Sequence, residues 1–191
     1  DGQLFAETGL VYGYDFLKDS STQIAEEFAR QGLQTTARID DEWTADDLRQ
    51  ALLQSPQHDL VSLNAHFAHF LLQPADLEAG GLFSATEIVS STVDLSGTIN
   101  YSVGCHSGLN VCDVCTTEFG KGLDADNDFA QAFASQGASI IGNTGFGYGV
   151  DAAPTLSEEL MSLYTANLGQ SQDVAVGDAL RQAKQTYALN S

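Results

Sequence analysis

Two residues whose types could do chemistry together each close a hydrophobic run. Leu60-Val61-Ser62-Leu63-Asn64-Ala65 runs into His66, and Ile99-Asn100-Tyr101-Ser102-Val103-Gly104 runs into Cys105. An imidazole beside a thiol raises the fraction of thiolate, the form that attacks a carbonyl carbon. In a parallel α/β sheet such groups collect at the carboxyl ends of strands. A strand ending in His and a second ending in Cys can place a base and a thiol side by side, as the chemistry of a cysteine protease needs.

The elements needed to position them are legible. Gly9 to Tyr14 reads as a first strand, and Ser20 with Gln23 as the capping box of a helix carrying Ile24, Ala25, Phe28 and Ala29, closed by Gly32. Thr35 to Ile39 reads as a second strand. Thr44 with Asp47 caps a second helix, whose Leu48, Ala51 and Leu52 face inward. Asp59 to Asn64 is the third strand, and Ile99 to Gly104 a further buried one. Between them, Pro74, Gly80, Gly81 and Gly97 punctuate a stretch read as holding a hairpin around Thr86–Ser90. Asp128 to Gln136 reads as a helix, Ala138 to Gly142 as a strand, and Thr155 with Glu158 as the cap of a helix through Leu168. Val176 to Leu189 is the last helix. Strands alternating with helices predict an α/β fold with a mostly parallel sheet and helices on both faces. The length of 191 residues suits a single domain, 1–191, of a kind that is excised from larger proteins.

The wording Ser102-Val103-Gly104-Cys105-His106-Ser107-Gly108, with Gly137-Ala138-Ser139-Ile140-Ile141-Gly142 and Gly13-Tyr14-Asp15-Phe16-Leu17, resembles the caspase-like (clan CD) cysteine peptidases, and within them the gingipain-type family C25. The resemblance implies a caspase-like domain acting as a cysteine endopeptidase on polypeptide substrates. Cys105 would be the nucleophile and His66 the group that protonates the leaving amine, with His69 as an alternative base. The family holds the oxyanion with the backbone N–H of the Cys and of a Gly after the His; here these are Cys105 and Phe67. A backbone N–H survives any non-proline residue, but the Cβ of Phe67 constrains how it is aimed.

The resemblance also makes Asp15 a candidate carboxylate for a basic side chain (Arg or Lys) before the scissile bond, since a carboxylate pairs bidentately with Arg. The alternative for Asp15 is a solvated or helix-capping role. Asp151 is the second substrate-binding candidate. It follows the loop Asn143 to Gly149, whose Phe146 and Tyr148 could wall a pocket. That loop lacks both G-x-G-x-x-G and a Walker lysine, so it is not a nucleotide loop.

Asp124, Asp126 and Asp128 alternate as Ca²⁺ ligands do, although the run lacks the Gly and distal Glu of an EF-hand; calcium-binding enzymes of the gingipain type support that reading. The other reading of the run is an acidic first turn favoured by the helix dipole. No cofactor is required for the chemistry itself. Cys112-x-x-Cys115 reads as a local disulfide or two free thiols. The rival is a structural zinc site drawing on Cys105, His106, Cys112 and Cys115, which would consume the nucleophile.

A net charge of −19, with 26 acidic against 7 basic residues, excludes nucleic acid and anionic membranes as partners, for want of a basic patch. The same charge attracts basic substrates and cations. No apolar run reaches the length of a membrane span, and no leader is legible at the start. The resemblance implies a secreted or extracytoplasmic protein. Composition leaves the oligomeric state open. Two rivals to a peptidase stand: a catalytically silent caspase-like domain that binds or scaffolds, and a metal-stabilised binding domain.

Overall fold

Leu60–Asn64 is buried at every position, as a strand covered on both faces must be. In the computed structural model, which describes residues 6–54, 57–111, 127–150, 153–169 and 175–190, this segment is the centre of a five-stranded sheet. In chain order the elements are β1 (Thr8–Gly13), α1 (Lys18–Arg30), β2 (Gln34–Ile39), α2 (Ala45–Arg49, continued by a wider turn over Gln50–Gln54), β3 (Leu60–Asn64), β4 (His66–Ala68), β5 (Leu71–Gln73), β6 (Phe83–Ser84), α3 (Ala85–Ser90), β7 (Ile99–Tyr101), α4 (Phe129–Ser135), β8 (Ser139–Ile141), α5 (Ser157–Leu168) and α6 (Val176–Asn190). The main sheet has the order β2-β1-β3-β7-β8, and every neighbouring pair in it is parallel. The fold is α/β, as the alternation of patterns predicts.

Strand side chains alternate between two apolar layers. Leu10, Tyr12, Val61 and Leu63 point into one layer with Trp43, Leu48, Ile88, Phe129 and Phe133, contributed by the α2, α3 and α4 side. Val11, Leu60 and Tyr101 point into the other, with Ile24 and Phe28 of α1, Met161 and Tyr164 of α5, and Ala179 and Ala183 of α6. Trp43 is fully buried, donates its indole N–H to the Gly13 carbonyl at 3.2 Å, and meets the Tyr12 and Tyr14 rings edge-on. It thus clamps the carboxyl end of β1.

Three local expectations are corrected. The Thr86–Ser90 stretch is helix α3 rather than a hairpin. Its β-branched Thr86, Ile88 and Val89 carry a strand-like signature, but Glu87 takes the Ser84 N–H at 2.9 Å as the reciprocal half of a capping box. Helix α1 begins at Lys18, ahead of Ser20, because a 3₁₀ turn over Asp15–Leu17 feeds straight into it; Ser20 is buried and donates to the Leu17 carbonyl. Helix α5 begins at Ser157 after Leu156, not at Thr155. A small antiparallel sheet, β4-β5-β6, was not legible in the sequence; its strands have two or three residues each. The Thr44–Asp47 capping box is found where the sequence places it, and the helix expected over Asp128–Gln136 runs over Phe129–Ser135 with Asp128 as its N-cap.

Candidate active site

The spacing of the two reactive residues and the register of the sheet are the same number. His66 and Cys105 are 39 residues apart, as are Asn64 and Val103, whose N–H donates to the Asn64 side-chain oxygen at 3.3 Å. The same offset runs through the whole β3–β7 ladder, from Leu60↔Ile99 to Ser62↔Tyr101. His66 and Cys105 therefore both follow adjacent parallel strands, past the carboxyl edge of the sheet.

Beyond Asn64 and Val103 the two chains stay close because residue 104 is Gly. A Cβ on Gly104 would lie 2.4 Å from the Phe67 ring and 2.6 Å from the Ala65 carbonyl oxygen. Phe67 itself is buried, edge-on to Phe129 at a centroid distance of 5.1 Å. The bulk that the chain carries after His66 is thus accepted by the absence of bulk at Gly104. Phe67 lies in β4, opposite Leu72 of β5, and has no left-handed backbone. Cys105 then opens a turn: Ser107 donates to the Gly104 carbonyl at 2.9 Å and the Leu109 N–H to the His106 carbonyl at 3.0 Å. Among the described residues no backbone acceptor takes a hydrogen bond from the Cys105 N–H.

The Gly-rich loop after β8 folds over this turn. Its Asn143 amide donates to the Val103 carbonyl at 2.7 Å, the His106 N–H donates to the Gly145 carbonyl at 2.7 Å, and the Cys105 thiol sits 3.8 Å from the Gly147 carbonyl. A Cβ on Gly147 would fall 2.0 Å from the Val103 oxygen, so only Gly permits this approach. Phe146 and Tyr148 of the loop are 63% and 60% exposed, and Phe146 meets the His106 ring at 4.9 Å. His106 points to this loop, with Nδ1 3.2 Å from the Thr144 carbonyl, and not to His66.

Asp15 is brought to His66 rather than standing apart from it. Its Oδ2 lies 3.2 Å from His66 Nε2. A carboxylate can only accept, so this partner places a proton on Nε2 and leaves Nδ1 as the ring's basic nitrogen. The rings of Tyr14 and Phe16 flank the imidazole at 5.6 and 5.8 Å. The Tyr14 hydroxyl donates to the Gln73 carbonyl, and its pKa is pushed up to about 12, chiefly by burial. Asp15 has φ 57 and His106 φ 54, both left-handed, and Leu156 at the start of α5 has φ 55. Asp tolerates this region better than most residues. Asp15 directly follows β1, and His106 follows Cys105 in the turn after β7. The sequence motif could find Asp15, but not its pairing with His66, which depends on β1 and β3 being neighbours.

His69, the alternative base, sits in the β4–β5 turn beside Phe70 at 4.8 Å, and its carbonyl accepts the Phe129 N–H. Burial lowers its pKa, and proximity to His106 lowers it further against the pull of Asp128. Asp128 accepts the Gln131 N–H on one oxygen and the Val111 N–H on the other, each at 2.7 Å. It acts here as a helix cap that also pins the chain after the Cys105 turn. Asp124, Asp126, Asp151, Cys112 and Cys115 lie outside the described residues. Among the described residues no group of three or more His, Cys, Asp or Glu side chains is placed to hold a metal ion, and no helix is long and apolar enough to cross a membrane.

An open cavity of about 610 Å³ adjoins His66 on the β1–β2 side. Tyr14, Asp15, Phe16, Lys18, Asp19 and Asp41 line it. Across the carboxyl edge the order is therefore acidic cavity, His66, Cys105, Gly-rich loop.

No family model matches the chain, and no curated protein is significantly similar to it. Among solved structures it is similar to a flavodoxin of Streptococcus pneumonia TIGR4 at 12% identity and a TM-score of 0.40, over 96% of this chain and 99% of that one.

Proposed function

We propose that this chain is a cysteine endopeptidase in which Cys105 is the nucleophile, His66 the acid–base and Asp15 the residue that orients His66. The observation that supports this reading is the shared offset of 39 in the β3–β7 register, by which His66 and Cys105 each follow the carboxyl end of one of two neighbouring parallel strands. Nδ1 of His66 takes the thiol proton, and the thiolate sulfur bonds to the scissile carbonyl carbon. The resulting oxyanion is met by the Cys105 N–H, with Phe67 as the second donor by resemblance to the clan. Collapse breaks the C–N bond as the imidazolium protonates the leaving amine. Water then cleaves the thioester, giving up its proton through His66 and restoring the thiol. No metal or cofactor is needed in these steps. The expected partner is a polypeptide carrying a basic side chain, as the charge of −19 favours.

The second reading, a catalytically silent binding domain, draws on Phe67, whose ring occupies the space beside Gly104. The two are separated by labelling with peptidyl acyloxymethyl ketones, read by intact mass on wild type, Cys105→Ala and His66→Ala, with and without Ca²⁺. A peptidase gives one adduct in wild type, none in Cys105→Ala, and a rate lower by about 10²–10⁴ in His66→Ala. A folded wild type with a free Cys105 thiol and no adduct from any probe overturns the peptidase reading. A Ca²⁺-dependent adduct would support a role for the Asp124, Asp126 and Asp128 run. The secreted or extracytoplasmic setting that the resemblance implies belongs to this proposal as well.

A further inference from the structure

The half-buried Cys105 thiol already has a partner, and it is not His66. Its Sγ donates toward the Gly147 carbonyl at 3.8 Å, while His66 turns its Nε2 to Asp15. Among the described residues no hydrogen bond joins Cys105 to His66. A thiol can donate to a carbonyl oxygen. A thiolate has no proton to donate and meets the same oxygen as one negative end against another. With the Gly-rich loop seated, the Gly147 carbonyl therefore favours the unreactive form of Cys105 and occupies one side of its sulfur.

The seat is built by the residue that follows the nucleophile. The His106 backbone N–H donates to the Gly145 carbonyl at 2.7 Å. Its ring Nδ1 lies 3.2 Å from the Thr144 carbonyl, which can only accept, so this nitrogen carries a proton. The same ring meets Phe146 at 4.9 Å. One residue thus holds Thr144, Gly145 and Phe146, the three that run into Gly147. It does so with φ 54, a backbone that persists in a residue with a side chain only where surrounding contacts fix it.

The loop is anchored at both ends by other groups. Asn143 donates its amide to the Val103 carbonyl at 2.7 Å. At the far end the Tyr148 N–H donates to the Ser157 hydroxyl at 3.2 Å, and the Ser157 N–H to the Tyr148 carbonyl at 3.1 Å. Between these anchors, among the described residues, every hydrogen bond to residues 144–147 comes from His106 or Cys105. Phe146 is mostly exposed, and a Cβ on Gly145 would meet nothing within 4 Å. A short span with fixed ends, few bonds and little burial is the kind of segment that opens locally while the fold persists.

We infer that residues 144–147 are a latch over Cys105, clasped by His106, and that the thiol becomes reactive when the latch lifts. This is regulation of the same site, and it rests on the peptidase reading for the reaction that opening permits. Lifting takes the Gly147 carbonyl from the sulfur. The thiol proton then passes to Nδ1 of His66 and leaves the thiolate.

Iodoacetamide tests the latch on the whole chain with neither dyad nor substrate, because it alkylates an accessible thiolate directly. Peptide mapping reads the rate at Cys105 apart from Cys112 and Cys115. Gly147→Ala cannot seat, since its Cβ collides with the Val103 carbonyl oxygen, and its Cys105 rate should rise by at least about fivefold. Phe146→Ala loses the ring contact and should raise the rate by about 2–10-fold. His106→Asn, which tolerates the left-handed backbone but lacks the ring, should act in the same direction. Gly145→Ala has room for its Cβ and stiffens the open loop, so it should slow alkylation by about 2–5-fold. The emission of Trp43, the chain's single Trp, reports whether each variant is folded. Opposite signs for the loosening and the stiffening variants support the latch. An unchanged rate in Gly147→Ala and Phe146→Ala overturns it, and an acyloxymethyl ketone adduct in the same protein leaves the peptidase standing. Acceleration in every variant, Gly145→Ala included, also overturns it, because any disturbance of the loop would then expose the thiol. Opposite signs with no ketone adduct in wild type keep the latch and remove the peptidase.

Discussion

The closeness of the two strand ends rests on one missing methyl group, and Gly104→Ala tests it. The added Cβ meets the Phe67 ring at 2.4 Å and the Ala65 carbonyl at 2.6 Å, both well inside ordinary contact. Neither can give way freely. Ala65 is 1% exposed and its carbonyl belongs to the backbone joining β3 to β4, while the Phe67 ring is 8% exposed and wedged on Phe129. Overpacking of this kind costs about 1–3 kcal/mol, and the backbone contact places Gly104→Ala in the upper part of that range. For a chain of this length each kcal/mol moves Tm by about 2–4 °C, so a fall of about 4–12 °C is expected. The cheapest relief is to part the strand ends, which moves Cys105 away from His66. A displacement near 1 Å costs about 10² in rate, so Cys105 labelling should slow by roughly that factor while the fold persists.

Thermal unfolding followed by Trp43 emission gives the first quantity, and the rate of adduct formation by intact mass gives the second. Phe67→Ala in the same background separates the two contacts. It frees the ring contact but not the one to the Ala65 carbonyl, so the double variant should recover part of the Gly104→Ala loss, with a coupling of at least about 0.5 kcal/mol. Gly104→Ala with an unchanged Tm and an unchanged labelling rate would refute the reasoning that this approach positions the dyad.

Asp15→Asn should slow Cys105 labelling while shifting Tm by under about 2 °C, because the Asp15–His66 pair is about half exposed and contributes little to stability; a large Tm loss with normal labelling would make Asp15 structural. His69 has its pKa lowered by burial, so the unfolded chain takes up a proton that the folded chain refuses. Stability should therefore fall as pH drops below about 6.5, the ordinary histidine value. His69→Gln should flatten that part of a Tm-against-pH curve, although His58, shifted the same way, will keep some slope. Glu158 carries the opposite sign, since a carboxyl raised by burial loses stability as pH rises from about 4.3 through its folded value. Glu158→Gln keeps an acceptor for the Val150 and Thr155 N–H groups, so it should raise Tm at pH 8 more than at pH 4; an equal change at both would count against the buried charge.

The parts of the fold visible in the sequence are those where local chemistry and tertiary packing agree. The fully buried run Leu60–Asn64, the Thr44–Asp47 box and the helix beginning near Asp128 are of this kind. Helix α3 was hidden because Thr86, Ile88 and Val89 carry strand propensity, while the burial of Ile88 and the Ser84–Glu87 box decide for helix. Strands β4 to β6 were hidden because runs of two or three residues are too short to establish a period. At the candidate site, the places of His66 and Cys105 after β3 and β7 were legible from the apolar runs that precede them. The Asp15–His66 pair was not, since it requires the order β1-β3-β7, which no single segment encodes. Nor was the meaning of Phe67 legible: its ring is complementary to Gly104, a residue 37 positions on that reads, in isolation, only as flexibility.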